Sequence, residues 1–471
     1  MNPHSSFPLT DDSSPLPAPP PPARDVIAAL ATPPGEGAIA VVRVSGPGCH
    51  ALLETLLRRP VADWPAGTFR LARIRDAAGE LLDRALVLLF RAPRSYTGEE
   101  AFELQLHGGA LSARRVLRAL SAAGARPARP GEFTYRAFLS GKMDLTQAEA
   151  VADLVSARSE RAARVAAGQL EGALGRKISA LSAKLIELAA DLEAMLDFDD
   201  GELPESVPSR LQGLLAAARA PLASLLATWE EGRMLREGVR VAVAGKPNAG
   251  KSTALNALLG RERAIVSDVP GTTRDTIEEG LVLSGVPVVL TDTAGLRETA
   301  DGIEREGVRR SREAVAAADF VLAVADASLP AGETGWLASV PPEKSLVLLN
   351  KADLPARTGP EDFPGRKTVA LSLLCDPEAG EKLAAALAEA ILPQAAHGGE
   401  GEVAIGARHR GVLEKAAGEL ARAEGLLGRE ETYVLAAEHV RSALHALGEM
   451  LGRDTDEETL DAVFSRFCVG K

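Results

Sequence analysis

The chain has 471 residues, 46% hydrophobic and 25% charged, and a formal net charge of −12. Such a length predicts about three globular domains, and the acidic balance excludes a protein that coats nucleic acid through bulk electrostatics. The three cysteines, Cys49, Cys375 and Cys468, lie far apart without metal-ligand spacing, so no disulfide framework is expected and a reducing cytoplasm fits.

Residues 1–24 carry Pro15, Pro17 and the block Pro19 to Pro22 without the apolar stretch of a signal peptide, and read as a disordered tail. No apolar run reaches the length expected of a membrane span. Residues 25–140 predict a mixed α/β domain. Strand candidates are Val26–Leu30, Ile39–Val44, Leu86–Phe90 and Ala101–Leu106, with helical character from Ala110 to Ala122. From about Asp144 the chain turns Ala- and Leu-rich. Leu174, Ile178, Leu181, Leu185, Leu188, Leu192 and Met195 recur at spacings of three and four, one stripe of a long packed helix. A second helix is expected from Leu211 to about Leu235. Residues 237–396 alternate strand and helix signals, the pattern of a parallel-rich sheet with helices on both faces. Strands are expected at Val239–Ala244, Val286–Leu290, Phe320–Ala325, Ser345–Leu349 and Thr368–Leu371, with helices near 304–318 and 378–391. Helical patterning resumes after 397, so the α/β block is expected to be inserted into one helical domain formed by 141–236 and 397–471.

The stretch Gly245-Lys246-Pro247-Asn248-Ala249-Gly250-Lys251-Ser252 fits the phosphate-loop pattern G-x-x-x-x-G-K-[ST], and Thr253 opens the following helical pattern. It stands between a strand and a helix start, where backbone amides and the helix dipole favour phosphate. Lys251 can reach the β and γ phosphates, and the Ser252 hydroxyl can ligate Mg²⁺. Gly271-Thr272-Thr273 supplies hydroxyls to Mg²⁺ and the γ-phosphate. Asp292-Thr293-Ala294-Gly295 ends a strand with a carboxylate for the Mg²⁺ shell and a glycine amide. Asn350-Lys351-Ala352-Asp353 ends another, and its last carboxylate can accept the guanine N1–H and N2–H₂, a donor pair adenine lacks. Ser372-Leu373 holds the place of a final base-contacting loop. The ligand expected is GTP. Leu296 stands where many such enzymes use Gln to orient water, so charge neutralisation must come from elsewhere. Asn248 is a candidate oxygen ligand for a monovalent cation. Glu304 reads first as a solvated carboxylate at a helix start.

Taken together, the residues resemble the MnmE (TrmE) family of tRNA-modification GTPases over 25–471. The matching stretches are Ala31-Thr32-Pro33-Pro34-Gly35, Arg94 to Glu100, Pro130-Gly131-Glu132-Phe133, Lys142-Met143-Asp144-Leu145, Gln147-Ala148-Glu149-Ala150 and the terminal Cys468-Val469-Gly470-Lys471. The resemblance implies an α+β folate-binding and dimerisation domain at 25–140, an all-α helical domain, and an inserted Ras-like P-loop G domain at 237–396. It further implies a homodimer that joins the flavoprotein MnmG (GidA), which carries FAD, in a heterotetramer or larger assembly. The pair would modify C5 of the wobble uridine of tRNA with carbon from 5-formyl- or 5,10-methylene-tetrahydrofolate. By the same resemblance K⁺ promotes GTP hydrolysis. Asn248, Ser267, Val269 and Thr272 match the K⁺ site, Ser252 and Thr273 the Mg²⁺ ligands, and Glu304 the residue that orients water. Arg43, Glu103, Lys142 and Lys471 match folate-contacting positions. Cys468 matches a required cysteine, with both a catalytic thiol and a buried structural side chain open to it. The sequence departs from the family at Ser372-Leu373-Leu374-Cys375, where bulk and lost polarity are expected to weaken GDP binding. Two other readings compete. A ribosome-assembly GTPase of the Era or Der type calls for an RNA-binding module, and no Gly-x-x-Gly loop stands in a KH-like context. A folate-dependent transferase with a regulatory G domain would work without hydrolysis.

Overall fold

The structure, a computed structural model, describes residues 25–195, 207–260, 278–292, 313–330, 335–392, 403–427, 432–453 and 455–471. Contacts divide the chain into two units, one running through Ala152 and taking in Gly448–Lys471, the other Asp153–Leu447.

The first unit is built on a six-stranded sheet. Its elements in chain order are β1 (Ile27–Leu30), β2 (Ile39–Ser45), α1 (Cys49–Leu57), β3 (Phe69–Arg75), β4 (Leu81–Phe90), β5 (Ala101–His107), α2 (Ala110–Ala122), β6 (Arg126–Pro127), α3 (Glu132–Leu139) and the start of α4 (Leu145–Ser156). The strand order is β3-β4-β5-β2-β1-β6, antiparallel except for the β1/β6 pair. Strand alternation sends Ile74, Val87, Leu89, Phe102, Leu104, Val42 and Val44 to the face covered by α1 and α2, where they form the core with Leu53, Val116 and Leu120. The opposite face stays open along β3 and β4. There Phe69, Leu71 and Leu86 are exposed, with Leu71 paired to Leu86 and Phe69 to Leu88. At the β1 end that face is closed by Phe133 of α3, packed with Ile27, Ala29 and Ala128. The last helix of the chain, Glu457–Phe464, lies against α3, with Tyr135 and Phe464 in an edge-on contact 5.1 Å between centroids.

β3 escapes the sequence reading because Phe-Arg-Leu-Ala-Arg-Ile-Arg puts only Ala72 and Ile74 into the core and its other side chains outward. A strand half covered by arginine carries little hydrophobic signal.

The second unit begins with helices α5 (Glu160–Leu170), α6 (Ala173–Met195), α7 (Val207–Ala227) and α8 (Trp229–Glu237). Six positions of the α6 stripe, Leu174, Ile178, Leu181, Leu185, Leu188 and Leu192, are buried. They pack against α7, whose own stripe is Leu211, Leu215, Ala218, Leu222 and Leu225. The single helix expected to about Leu235 is broken at Thr228, whose hydroxyl donates to Leu225 O at 2.7 Å and accepts from Ile405 N at 3.3 Å. Ser209–Glu237, which spans that break, is long and apolar enough to cross a membrane by length and composition only. Within it Leu211, Leu215, Ala218, Leu222 and Leu225 are buried, while Ala216, Ala217, Ala220 and Ala223 are exposed.

The chain then enters a doubly wound sheet. β7 (Val239–Gly245), α9 (Lys251–Leu259), β8 (Glu278–Leu283), β9 (Val286–Asp292), β10 (Phe320–Asp326), β11 (Ser345–Asn350), β12 (Lys367–Leu371) and α10 (Ala379–Ile391) follow in order. The strand order β12-β11-β10-β7-β9-β8 is parallel throughout except for the β8/β9 hairpin. Five strands match the expected positions, and β8 is an addition closed by a turn through Ser284 and Gly285. The order reverses around β7, so the carboxyl ends of β7, β10 and β11 open on the crevice where such sheets bind ligands.

After Val403–Ile405 come α11 (Ala407–Leu426) and α12 (Tyr433–Met450). α11 packs against α7 and α8 through Leu413, Ala416 and Leu420, so helices from both sides of the doubly wound sheet share one layer. The two crossing points are bonded together. Arg236 donates to Ala404 O at 3.1 Å and also to Ile405 O, and Gln169 Nε2 donates to Ala404 O at 2.9 Å.

Candidate nucleotide site and the pocket on the first sheet

At the end of β7 the chain turns through the phosphate loop into α9. Asn248 takes a positive φ of 62° and Gly250 one of 103°. A Cβ on Gly250 would stand 2.1 Å from Asn350 Nδ2, so only glycine lets the loop lie this close to β11. Lys251 is 8% exposed, and its ammonium donates to Gly245 O at 2.9 Å and Lys246 O at 2.8 Å, folded back across the loop. Ser252 is exposed in the first turn of α9, Thr253 is half-buried beside it, and Ala249 is buried in the core under the loop.

Asn350 ties the site together. Its Nδ2 donates to Ala249 O at 3.0 Å, and its Oδ1 accepts from Leu373 N at 3.3 Å. The phosphate loop, the end of β11 and the loop after β12 are therefore fixed by one buried side chain. Lys351 follows with a φ of 62° and an ion pair to Asp326 Oδ2 at 2.5 Å. The Ser372 hydroxyl, bonded to the Asp353 carboxylate, holds that group below the usual carboxylate range. Asp353 is thus a hydrogen-bond acceptor, the property the sequence reading asks of it. The Leu373 side chain packs against the core of the sheet, while Leu374 is 84% exposed. The bulk that distinguishes this loop is turned inward at Leu373.

Asp292 is the last residue of β9, in register with Val243 of β7, which sets its backbone beside the strand that leads into the phosphate loop. Ser267, Val269, Thr272, Thr273, Thr293, Ala294, Gly295, Leu296 and Glu304 lie outside the described residues.

A second group of singled-out residues converges on the first sheet. Arg43 of β2 and Glu103 of β5 are register partners, and Arg43 Nε donates to Glu103 Oε1 at 2.8 Å. The Arg43 guanidinium lies 5.2 Å from the Tyr96 ring centre and 5.7 Å from that of Phe133. Lys142 Nζ donates to Pro93 O at 3.2 Å, at the start of the loop that carries Tyr96. The chain's last residues lie along the same edge. Val469 bridges to Pro130, Phe133 N donates to Lys471 O at 3.1 Å, and Arg43 reaches Gly470 O at 3.4 Å. Gly470 has a φ of 97°, and a Cβ there would stand 2.5 Å from Leu30 O, which explains a glycine in the terminal motif. Cys468 is exposed, with its carbonyl accepting from Lys471 N at 3.3 Å.

Beneath this edge runs a buried ion network that sequence reading missed. Arg136, 8% exposed, bonds Asp25, Glu99 and Glu132, and Arg126 bonds Asp25 and Glu132. Burial pushes the Glu132 carboxyl up, but bonds from Arg126 and the Arg129 amide outweigh it and hold it below the usual range. Tyr96 and Phe133 were also missed as neighbours of Arg43. Both fall within stretches that carry the family resemblance, which was the available signal.

A parallel sheet reversing at a phosphate loop, with an ionised acid at the base-reading position, defines a P-loop GTPase. Comparison with known proteins narrows that class. The MnmE helical domain description matches residues 145–468, and that of the GTP-binding protein TrmE N-terminus matches 26–142. The tRNA modification GTPase MnmE of Akkermansia muciniphila is 44% identical over 451 residues, covering 94% of this chain and 98% of that protein. The same enzyme of Moorella thermoacetica is 45% identical over 463 residues, 95% and 99% of the two chains. The chain belongs to the MnmE family of tRNA modification GTPases. Among solved structures, the G domain of the T. maritima FeoB iron transporter is 25% identical, covering 32% of this chain and 98% of that one, with a TM-score of 0.25.

Proposed function

We propose that this chain is a K⁺-dependent GTPase that works with the flavoprotein MnmG to add an aminomethyl or carboxymethylaminomethyl group to C5 of the tRNA wobble uridine. The observation that carries this reading is family membership over nearly the whole chain, joined to a nucleotide site whose base and phosphate loops are locked by Asn350. GTP fits a loop whose backbone is held open by glycine and whose lysine already folds across it. Mg²⁺ would be held by Ser252 with Thr273, and K⁺ by Asn248 with Ser267, Val269 and Thr272. Bound there, the two cations neutralise charge that builds on the phosphates during hydrolysis. Glu304 would orient the attacking water in place of the Gln that Leu296 replaces.

The first sheet suits a tetrahydrofolate. Arg43 and Lys142 supply cations for its carboxylates, Glu103 accepts from pterin N–H groups, and Tyr96 and Phe133 offer flat apolar surface. Lys471 and Cys468 would complete that pocket from the chain terminus. A bound tetrahydrofolate supplies the one-carbon unit, and FAD on the partner supplies redox chemistry. The exposed apolar stripe Phe69, Leu71 and Leu86 favours a homodimer through the first sheet.

GTP hydrolysis measured in K⁺ and in Na⁺ at matched ionic strength tests the reading. The rate in K⁺ is expected to exceed that in Na⁺ at least tenfold. Equal rates would remove the cation-dependent mechanism.

A further inference from the structure

Asp326 closes β10 beside Asn350 of β11, its register partner. No motif used to find the nucleotide site includes it, yet it is the most constrained acid there. Its side chain is 10% exposed, one oxygen holds the Lys351 ammonium at 2.5 Å, and the other accepts from Ser328 N at 3.0 Å and Ser328 Oγ at 2.6 Å. With both oxygens bound, the carboxylate cannot turn, and the ammonium has a fixed anchor. Lys351 is 33% exposed and leaves its backbone in the left-handed region, an orientation that aims the side chain back toward β10. Its charge is thereby neutralised at the end of the sheet.

Two residues further on, Asp353, whose carboxylate already accepts from Ser372, must keep its remaining acceptor capacity open to guanine. An ammonium on Lys351 that lost its anchor would find Asp353 the nearest acid of its own loop, and the two already interact electrostatically. Such a contact would occupy the oxygens that read N1–H and N2–H₂. We propose that Asp326 is a positioning residue for base recognition: it holds the Lys351 ammonium at the end of β10 and so keeps that charge off the Asp353 carboxylate. This deepens the GTPase reading and rests on it.

Labelled GDP titrated against the full chain provides the test, with hydrolysis followed alongside. Asp326→Asn is expected to raise the Kd for GDP about tenfold and the KM for GTP similarly, with kcat changed less than twofold. Lys351→Met keeps the stem and removes the charge, so adding Asp326→Asn to it should cost less than twofold more. An equal loss in both backgrounds, an unchanged Kd, or a fall in kcat at constant KM would overturn the proposal. If thermal melting shows that Asp326→Asn does not fold, Ser328→Ala loosens the same carboxylate and should raise the Kd about threefold. An unchanged Kd in that variant counts against the role. A wild-type chain that bound labelled ADP as tightly as GDP would instead sink the underlying guanine reading, a result separable from any mutant effect.

Discussion

Glu132 shows how much a single side chain holds in the first unit. It is 11% exposed and bonds two arginines, one of them the buried Arg136. Its folded pKa lies below the ordinary glutamate value of 4.5. A depressed carboxylate contributes stability that is present above the unfolded pKa and is lost as pH falls through the folded one. The first unit is therefore expected to weaken from about pH 4.5 downward. Glu132→Gln should cost about 3 kcal/mol at neutral pH, because Arg136 is left in a buried setting with one acid fewer. It should also flatten the acid limb of a denaturation series. A variant with the wild-type slope would assign the pH dependence to other groups. The nucleotide residues follow a different logic. Lys251, Asn350 and Asp353 could be singled out in the sequence because phosphate and guanine impose fixed residue types at fixed spacing, and Asn248 as a candidate cation ligand by its place in the same loop. The Arg43–Tyr96–Phe133 grouping was not, since it exists only once β2, the loop before β5 and α3 are folded against each other. Asp326 was hidden for the same reason, because its partner lies on the next strand.

Among the elements, α6 is the clearest product of sequence period. Its leucines at three and four residue spacings all reach the interior, from Leu174 to Leu192. Leu185 is fully buried in the middle of this stripe. Leu185→Ala should cost about 3 kcal/mol through lost burial and the cavity left behind. Urea denaturation of the whole chain measures it, and an unchanged midpoint would show that the helical layer unfolds outside the observed transition. Two strands that sequence reading missed share a physical reason. β3 is coated with arginine, and β8 is a short hairpin strand whose sequence opens on two glutamates. In both, sheet pairing and not hydrophobic period selects the strand, and pairing is invisible until the neighbour is known. The break between α7 and α8 is likewise set from outside the helix, by the Ile405 amide bonded to Thr228.

For the molecule as a whole, the open face of the first sheet is the surface through which the proposed dimer would form. Helices cover one side of β3, β4, β5 and β2, while Phe69 and Leu71 on the other are 70% and 57% exposed. The Arg43–Glu103 pair sits on that same face by strand alternation, so a partner copy would flank the pocket proposed for folate. Leu71→Asp is expected to shift the protein from dimer to monomer in light scattering without lowering its melting temperature. A dimer of undiminished stability would place the interface elsewhere.

The bonds of Arg236 and Gln169 to Ala404 and Ile405 have a topological consequence. The chain departs for the nucleotide sheet and comes back through one spot, so the insertion is a loop closed at its base. Closure entropy grows only slowly with loop length, about 0.6 kcal/mol per doubling. Segments could lengthen or shorten within the insertion at little cost to the helices that carry it. The same sheet also packs on α5 and α8, with Arg233 paired to Asp319 and with Ala162, Val165 and Leu235 in the sheet's own core, so a turn of β7 that accompanies a change at the phosphate loop would press on those helices directly.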